Sequence, residues 1–259
     1  MHRAHHLNLT NAEIAGATSC IVTGDPGRVE RIARSEAFVN PHFLVESREF
    51  CSWLAYAEGK PVLITSTGIG GPSLAIAVEE LAMLGVKTFL RVGTCGAIQP
   101  NIHVSDLVIT TGGVRLEGTS SHYAPLEYPA VAHHEVLLAL ITSAKALNKV
   151  HHVGVTCSSD TFYPGQERYD TYSKYVPRRF QGSTEEWRQL HVLNYEMEAS
   201  TLLTLCSVFG LRGGCVCGTV VNRTRSEQIN TELVSTAEGN AIQVATHALA
   251  SLCLYFSFR

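Results

Sequence analysis

The sequence lacks several features that would by themselves assign it to a class. It has no run of 18 apolar residues, and its longest candidate, residues 248–258, is too short to span a bilayer, so we expect no membrane-spanning helix. Its first 20 residues contain no apolar core, so we expect no secretory signal peptide. No run of basic residues is long enough to follow a nucleic acid, and the net charge of -3 suggests no polyanionic partner.

The cysteines and histidines also lack the spacing of a metal site. Among eight cysteines only Cys215 and Cys217 are close in sequence, and a C-x-C pair alone is a weak metal motif. The histidine pairs at 5–6, 133–134 and 151–152 are adjacent residues, whose side chains diverge on a strand or helix, so zinc is not expected. Without a secretion signal, we expect reduced thiols and a cytoplasmic protein.

A dinucleotide-binding fingerprint is missing as well. Gly-Ile-Gly-Gly at residues 68–71 lacks the G-x-G-x-x-G spacing and the acidic residue after the next strand. What is present is an apolar content of 45% and a charged content of 17%, typical of a globular enzyme. Strand-like and helix-like segments alternate without a repeat or a linker. This pattern predicts one α/β domain over residues 1–259, with a central mixed β-sheet flanked by helices.

Residues 88–100 are the stretch around which the chain is organised. Residues 86–92 are typical of a buried strand, yet they include Arg91, and an unpaired buried charge is very costly. The following Gly93-Thr94-Cys95-Gly96 predicts a tight turn that a ligand can approach closely, with the hydroxyl of Thr94 beside the arginine. The stretch is therefore a candidate anion site. An ordinary strand-to-loop turn with a surface arginine remains the alternative.

Further polar groups follow other predicted strands. Gly24 ends a strand at 19–23, and Arg28 lies at the start of a helix at 29–33, which suits an anion or a simple tight connection with a solvated arginine. The remaining predicted strands lie at 50–58, 62–66, 107–111, 152–157 and 215–221, and the remaining helices at 72–84, 131–147, 199–209 and 231–256.

Two more stretches carry candidate ligand groups. In the irregular segment 158–172, Gln166 and Arg168 point to the same side if the chain is extended, and beside Phe162 they suit the edge and face of a planar heterocycle. Glu196 and Glu198 share a face if their strand persists, which suits a sugar diol, acid–base chemistry or a metal. The alternatives are a solvated surface loop and carboxylates that cap the next helix.

These groups all lie just beyond predicted strands, where open α/β sheets bind their ligands. The arginines and a hydroxyl suit phosphate, the carboxylates suit a sugar, and the glutamine, arginine and phenylalanine suit a base. The segments GDPGRVERIA, STGIGGPS, FLRVGTCGAIQP, SSDTFYPGQERYDTY and NYEMEA closely resemble the uridine-cleaving bacterial members of the nucleoside phosphorylase-I family. The resemblance runs from about residue 6 to residue 223.

The resemblance implies a single α/β domain, a homohexamer of three dimers, and phosphorolysis of uridine to uracil and α-ribose 1-phosphate. It implies small-molecule substrates only, with no nucleic-acid or membrane partner and no required cofactor. Arg91, Gln166, Arg168 and Glu198 would be catalytic. The implied subsites are phosphate (Gly24, Arg28, Arg91, Thr94 and a neighbour's Arg48), ribose (Glu196, Met197, Glu198 and a neighbour's His6), base (Cys95, Phe162, Gln166, Arg168, Val220, Val221, Arg223) and potassium at the dimer interface (Glu49, Ile69, Ser73).

The sequence departs from the family pattern in two places. Cys95 stands where threonine is usual, and the segment after Thr224, residues 225–230, lacks the usual proline. Two rivals are a nucleoside phosphorylase with another base preference and a catalytically silent nucleoside-binding relative. Purine-cleaving relatives carry an aspartate after the strand at 215–221, where this chain has Asn222, and a nucleosidase would not need Arg28, Arg48 and Arg91 together.

Overall fold

In the computed structural model, which describes residues 3–228 and 231–255, one mixed sheet of ten strands organises the chain. The strands are β1 (Ser19–Thr23), β2 (Val39–Ser47), β3 (Phe50–Ala57), β4 (Lys60–Ser66), β5 (Thr88–Ala97), β6 (Leu107–Leu116), β7 (Ala130–Val131), β8 (His151–Ser159), β9 (Asn194–Glu196) and β10 (Arg212–Asn222). The helices are α1 (Val29–Ala33), α2 (Gly71–Met83), α3 (His134–Ala146), α4 (Ser183–Gln189), α5 (Ala199–Val208) and α6 (Thr231–Tyr255). The α/β class with a mixed sheet flanked by helices is confirmed.

The sheet closes on itself over part of its width. Its strand order is β10-β6-β8-β9-β5-β1-β4-β3-β2, with β7 paired to β6, and β10 also pairs with β5. Strands β5, β10, β6, β8 and β9 therefore form a closed ring. Within it, β10 runs parallel to β5, whereas β9 runs antiparallel to β5 and parallel to β8.

The alternation of side chains along β1 divides the core between two helix layers. Ile21 belongs to the apolar cluster that includes residues of α1, α3 and α6, whereas Cys20 and Val22 belong to the cluster that includes residues of α2 and α5. Successive side chains of a strand point to opposite faces, so a strand buried on both faces must be apolar throughout or pair its polar groups. All five residues of β1 are buried.

The expected glycine turn at residues 93–96 is wrong, because β5 continues through it to Ala97. A Cβ atom on Gly93 would lie 3.0 Å from Arg91 Nη2 and 3.1 Å from Cys217 Sγ. One on Gly96 would lie 3.2 Å from Arg223 Cδ. These glycines make room for neighbouring side chains on β5 and β10, rather than for a reversal of the chain.

Other expectations differ mainly at their boundaries. The strand at 19–23 and the helix at 29–33 are confirmed without change, and the helices at 72–84 and 199–209 are confirmed to within one residue at each end. Strand β2 and helix α4 were not predicted. The final helix begins at Thr231 as expected, and its expected last residue, 256, lies outside the described residues. Within the described segments, no helix combines the length and apolar character needed to cross a membrane.

Candidate active site

One cavity of about 650 Å³ brings together segments that are far apart in the sequence. It is lined by the turn after β1, the loop between β4 and α2, the second half of β5, the segment after β8, the connection from β9 to α5, and the end of β10. Most of the lining residues lie near or just after the carboxyl ends of their strands, as expected. These strands are not all parallel, because β8 and β9 run opposite to β5, and the closed part of the sheet brings both directions to the same cavity.

The turn after β1 supplies one cationic wall. Residues Pro26–Arg28 form a single 3₁₀ turn, and the Asp25 side chain caps it by accepting the Gly27 N–H at 2.9 Å. Gly24 lies against the next loop, where a Cβ atom would be 3.2 Å from the Gly68 carbonyl oxygen. Gly24 and Arg28 both line the cavity. The turn thus presents backbone and a guanidinium to the same space.

Arg91 is the buried charge of the site, with only 4% of its surface exposed. Its Nη2 donates to Glu198 Oε2, and its Nε donates to Glu196 Oε2 at 3.3 Å. Burial alone would lower the pKa of this guanidinium, but the two carboxylates outweigh burial and raise the pKa overall. Its Nη1 is buried and has no hydrogen-bond partner among the described residues. This leaves a charged donor on a residue that lines the cavity, as Thr94 also does.

Glu196 holds the local structure together. Its carboxylate accepts the Ser158 hydroxyl, the Glu198 N–H at 2.8 Å and the Ala199 N–H at 2.9 Å. These bonds satisfy amides at the start of α5 that lack helical partners. The expected alternative, a carboxylate that caps the next helix, is therefore present at Glu196, which also orients Arg91.

Glu198, which also lines the cavity, has one donor on each carboxylate oxygen. Its Oε1 accepts the Gly70 N–H at 2.5 Å, while Oε2 meets Arg91. Burial raises the pKa of Glu198, although Arg91 opposes the rise. The strand ends at Glu196, so the two carboxylates do not share a face through strand geometry as expected; both meet Arg91 through the bend at Met197.

The segment after β8 supplies the opposite wall. It is not extended as expected: Pro164–Gln166 is a 3₁₀ turn, and Glu167 is left-handed with φ of 55°. A Cβ atom on Gly165 would lie 2.4 Å from Ser159 Oγ, so only glycine fits there. Gln166 and Arg168 nevertheless both line the cavity and are buried, at 3% and 7% exposure.

The Arg168 guanidinium is held by two side chains. It lies 4.3 Å from the centroid of the Phe162 ring, and its Nη1 donates to Glu227. Burial lowers the pKa of Arg168, and the neighbouring Arg223 lowers it further. The Arg168 Nε is buried with no hydrogen-bond partner among the described residues. A second charged donor is thus left beside the apolar wall of Val220 and Val221, which also line the cavity with Cys95.

Several expected site residues lie elsewhere in the single chain. Arg223 does not line this cavity; its Nε donates to Glu227 at 2.7 Å, and its guanidinium lies 5.3 Å from the Tyr195 ring centroid. His6 is bound to Glu80, with Nδ1 2.6 Å from Oε1. Arg48 is exposed in the turn between β2 and β3, with φ of 55°.

The residues expected at a potassium site are close together. Glu49 and Ser73 both lie beside Gly68: a Cβ atom there would be 3.0 Å from Glu49 Cγ and 3.5 Å from Ser73 Oγ. Ser73 Oγ lies 3.4 Å from the Ile69 carbonyl oxygen. Carboxylate, hydroxyl and carbonyl oxygens are the donors that hard cations take, so these residues fit such an ion. In the described residues, no group of three His, Cys, Asp or Glu side chains is arranged to hold a metal.

Sequence reasoning missed some members of the site. Tyr195, Gly68 and Pro26 also line the cavity, and each lies within two positions of a residue that was proposed. Glu227 and Glu238, which pair with Arg168 and Arg28, carry no local signal, because each resembles an ordinary polar residue of a loop or helix. Their partners are 59 and 210 residues away in the chain.

Comparisons with known proteins show which proteins the chain is similar to. The model of the phosphorylase superfamily matches residues 18–254. The chain is 56% identical to the uridine phosphorylase of Haemophilus influenzae over 97% of its own length and 99% of that protein. It is 56% identical to the uridine phosphorylase of Escherichia coli K12, over 95% and 97% of the two chains. It is also 37% identical to the guanosine phosphorylase of Halorubrum lacusprofundi, over 90% and 92%.

Proposed function

Because the chain belongs to the phosphorylase superfamily, we propose that it is a pentosyltransferase that cleaves uridine with phosphate, giving uracil and α-ribose 1-phosphate. The observation that carries the proposal is a pair of buried arginine donors, Arg91 Nη1 and Arg168 Nε, that line one cavity and have no partner in the described part of the chain. A buried donor without a partner is costly, so a site that keeps two of them is built for an anionic or carbonyl ligand.

Phosphate would bind between Gly24, Arg28, Arg91 and Thr94. The free Nη1 of Arg91 and the guanidinium of Arg28 provide charge-assisted donors, which suit phosphate oxygens better than neutral groups do. Holding the nucleophile beside the sugar replaces a bimolecular encounter with a positioned attack on the anomeric carbon.

Ribose would bind against Glu198 and the backbone of Met197. As the glycosidic bond loosens, positive charge develops on the sugar, and the phosphate and the Glu198 carboxylate stabilise it. Glu196 has its oxygens engaged by the backbone, Ser158 and Arg91, so its contribution to the sugar subsite is to keep Glu198 and Arg91 in place.

Uracil would bind between Gln166 and Arg168, with Phe162, Cys95, Val220 and Val221 around it. The leaving base gains negative charge on its carbonyls, and the free Arg168 Nε is a donor for it. One well-placed donor of this kind is worth about 3–4 kcal/mol of transition-state stabilisation. The Asn222 amide, at the position of the purine-type aspartate, is engaged with the Gln99 and Ile102 carbonyls, which favours pyrimidine over purine.

The assembly we propose is a homohexamer of three dimers that acts in the cytoplasm. Arg48 and His6 lie outside the cavity of their own chain, which is what is required of residues that complete a neighbour's site. Glu49, Ser73 and the Ile69 carbonyl would hold a potassium ion that ties two subunits together. All eight cysteines lie in the described residues and none forms a disulfide there, as in a protein kept in reducing surroundings. No organic cofactor is part of the proposal.

The test is an assay of purified protein with uridine, with and without inorganic phosphate, followed by chromatography of the products. We expect uracil and ribose 1-phosphate only when phosphate is present, and little turnover of inosine. Comparable cleavage of inosine would overturn the base preference, and phosphate-independent release of uracil would indicate a nucleosidase. If the protein consumes no nucleoside, the result would indicate a catalytically silent nucleoside-binding protein.

A further inference from the structure

Helix α6 carries a buried carboxylate that pairs with an arginine of the cavity wall. Glu238 is 9% exposed and does not line the cavity, yet its Oε1 accepts both Nε at 2.9 Å and Nη2 at 2.6 Å from Arg28. Arg28 does line the cavity. The two residues are 210 positions apart, so this contact exists only because α6 packs beside the turn after β1.

The carboxylate is itself held from its other side. Glu238 Oε2 accepts Arg31 Nη1 at 3.0 Å, and Arg31 lies one helical turn after Arg28. Glu238 therefore cannot rotate without breaking one of the two ion pairs. Because Glu238 engages Nε and Nη2 of Arg28, the guanidinium plane of Arg28 is defined, and Nη1 has no acceptor among the residues that the structure describes. An arginine held in this way loses less side-chain freedom when it binds a ligand.

We propose that Glu238 is a positioning residue for phosphate: it holds Arg28 in the orientation that binds the nucleophile. This inference rests on the proposed function, because it takes the ligand of Arg28 to be inorganic phosphate. Through this contact, the last helix of the described chain contributes to a subsite built from the first strand and its turn.

The negative charge of Glu238, considered by itself, predicts the opposite effect on phosphate binding. A carboxylate near a bound phosphate repels it, so removing the Glu238 charge without any other effect strengthens phosphate binding. If Glu238 positions Arg28, its removal weakens phosphate binding in spite of the lost repulsion. The sign of the change therefore separates the two roles.

The experiment compares Glu238→Ala and Glu238→Gln with Glu30→Gln as a matched control. Glu30 is exposed on α1 and pairs with Arg34, so its replacement removes a nearby carboxylate without touching Arg28. We expect Glu238→Ala to raise both the KM for phosphate and the Kd for phosphate in equilibrium dialysis about tenfold. The KM for uridine should stay within about twofold. Glu238→Gln, whose amide oxygen still accepts from Arg28, should show a smaller change.

A double-mutant cycle excludes a general structural effect. In an Arg28→Ala background, Glu238→Ala should no longer weaken phosphate binding, because the arginine through which it positions the ligand has been removed. An unchanged or lower KM and Kd for phosphate in Glu238→Ala would overturn the proposal, and so would equal losses for phosphate and uridine. If Glu238→Ala does not fold, Glu238→Gln decides by the same criteria. Dialysis uses phosphate alone, so it tests the role of Glu238 independently of the reaction. A protein that binds phosphate but does not cleave uridine would contradict the proposed function, and the dialysis result would still decide the role of Glu238.

Discussion

Replacing Glu196 with glutamine separates a ribose-binding role from a supporting one. The Glu196 carboxylate accepts from the Ser158 hydroxyl, from the Glu198 and Ala199 amides at 2.8 Å and 2.9 Å, and from Arg91 Nε at 3.3 Å. Each Glu196 oxygen already has at least two donors, whereas each Glu198 oxygen has one, so we expect Glu196 to support Glu198 rather than contact the sugar.

The magnitude follows from those bonds. In Glu196→Gln, the amide nitrogen can take the place of Oε1, where the Ser158 hydroxyl can act as acceptor, and the amide oxygen can keep the donors of Oε2. Hydrogen bonds to a charged acceptor are worth about 1 kcal/mol more than bonds to a neutral one. We therefore expect a loss of about 2 kcal/mol in the free energy of unfolding. Glu196→Ala, which leaves Arg91 and the amides without this partner, should cost about 3–5 kcal/mol.

The assay combines urea unfolding at equal protein concentration with steady-state kinetics on uridine. For Glu196→Gln we expect kcat/KM for uridine to fall less than tenfold, that is, by less than about 1.4 kcal/mol of transition-state stabilisation. Glu198→Gln is the matched variant, and it should raise the KM for uridine more than tenfold if Glu198 binds the ribose. The reasoning is refuted if Glu196→Gln keeps the wild-type stability and loses a hundredfold in kcat/KM, because that pattern belongs to direct substrate contact.

Three further predictions concern the base, the assembly and the N-terminal segment. Arg168→Ala should lower kcat for uridine by about 100-fold with an unchanged circular dichroism spectrum, because leaving-group stabilisation is lost; a loss below tenfold would remove Arg168 from the base subsite. Mixing inactive Arg48→Ala and Arg91→Ala subunits should restore some activity, since some sites then receive both arginines, and no recovery in verified mixed oligomers would count against shared sites. Burial alone would raise the pKa of Glu80, but the Leu7 and His6 amides and the His6 ring hold it below its usual value. The stability from Glu80 is thus present above its unfolded pKa of about 4.3 and lost as pH falls through its folded pKa. In urea unfolding, Glu80→Gln should be less stable than wild type at pH 7, with a gap that closes toward pH 3; a constant gap would contradict this.

Local sequence patterns predicted the strands and helices whose residues are nearly all buried in the core. The five residues of β1 are all buried, and a short run of small and β-branched residues is typical of such a strand. Helix α5 is buried at eight of its ten positions, and it was predicted to within one residue. Strand β2 escaped prediction because it is an edge strand with mostly exposed residues, so no apolar alternation marks it.

The glycines of β5 illustrate where local reasoning fails. Glycine permits a turn, and it also permits another side chain to approach the backbone closely, and the sequence does not distinguish these uses. Gly93 and Gly96 serve the second use, since Arg91, Cys217 and Arg223 occupy the space of their absent side chains. Two of these three neighbours lie on or after β10, more than 100 residues later.

The sequence by itself determined the chemical inventory of the site, because residue type decides which side chains can carry a charge, donate a hydrogen bond or accept one in any fold. Only the tertiary structure decided which of them meet. The closed ring of strands brings β9 back against β5, so that Glu196 and Glu198 converge on Arg91. The packing of α6 likewise places Glu238 on Arg28. Such contacts depend on strand directions and helix packing that arise from the whole chain, so no single segment of the sequence predicts them.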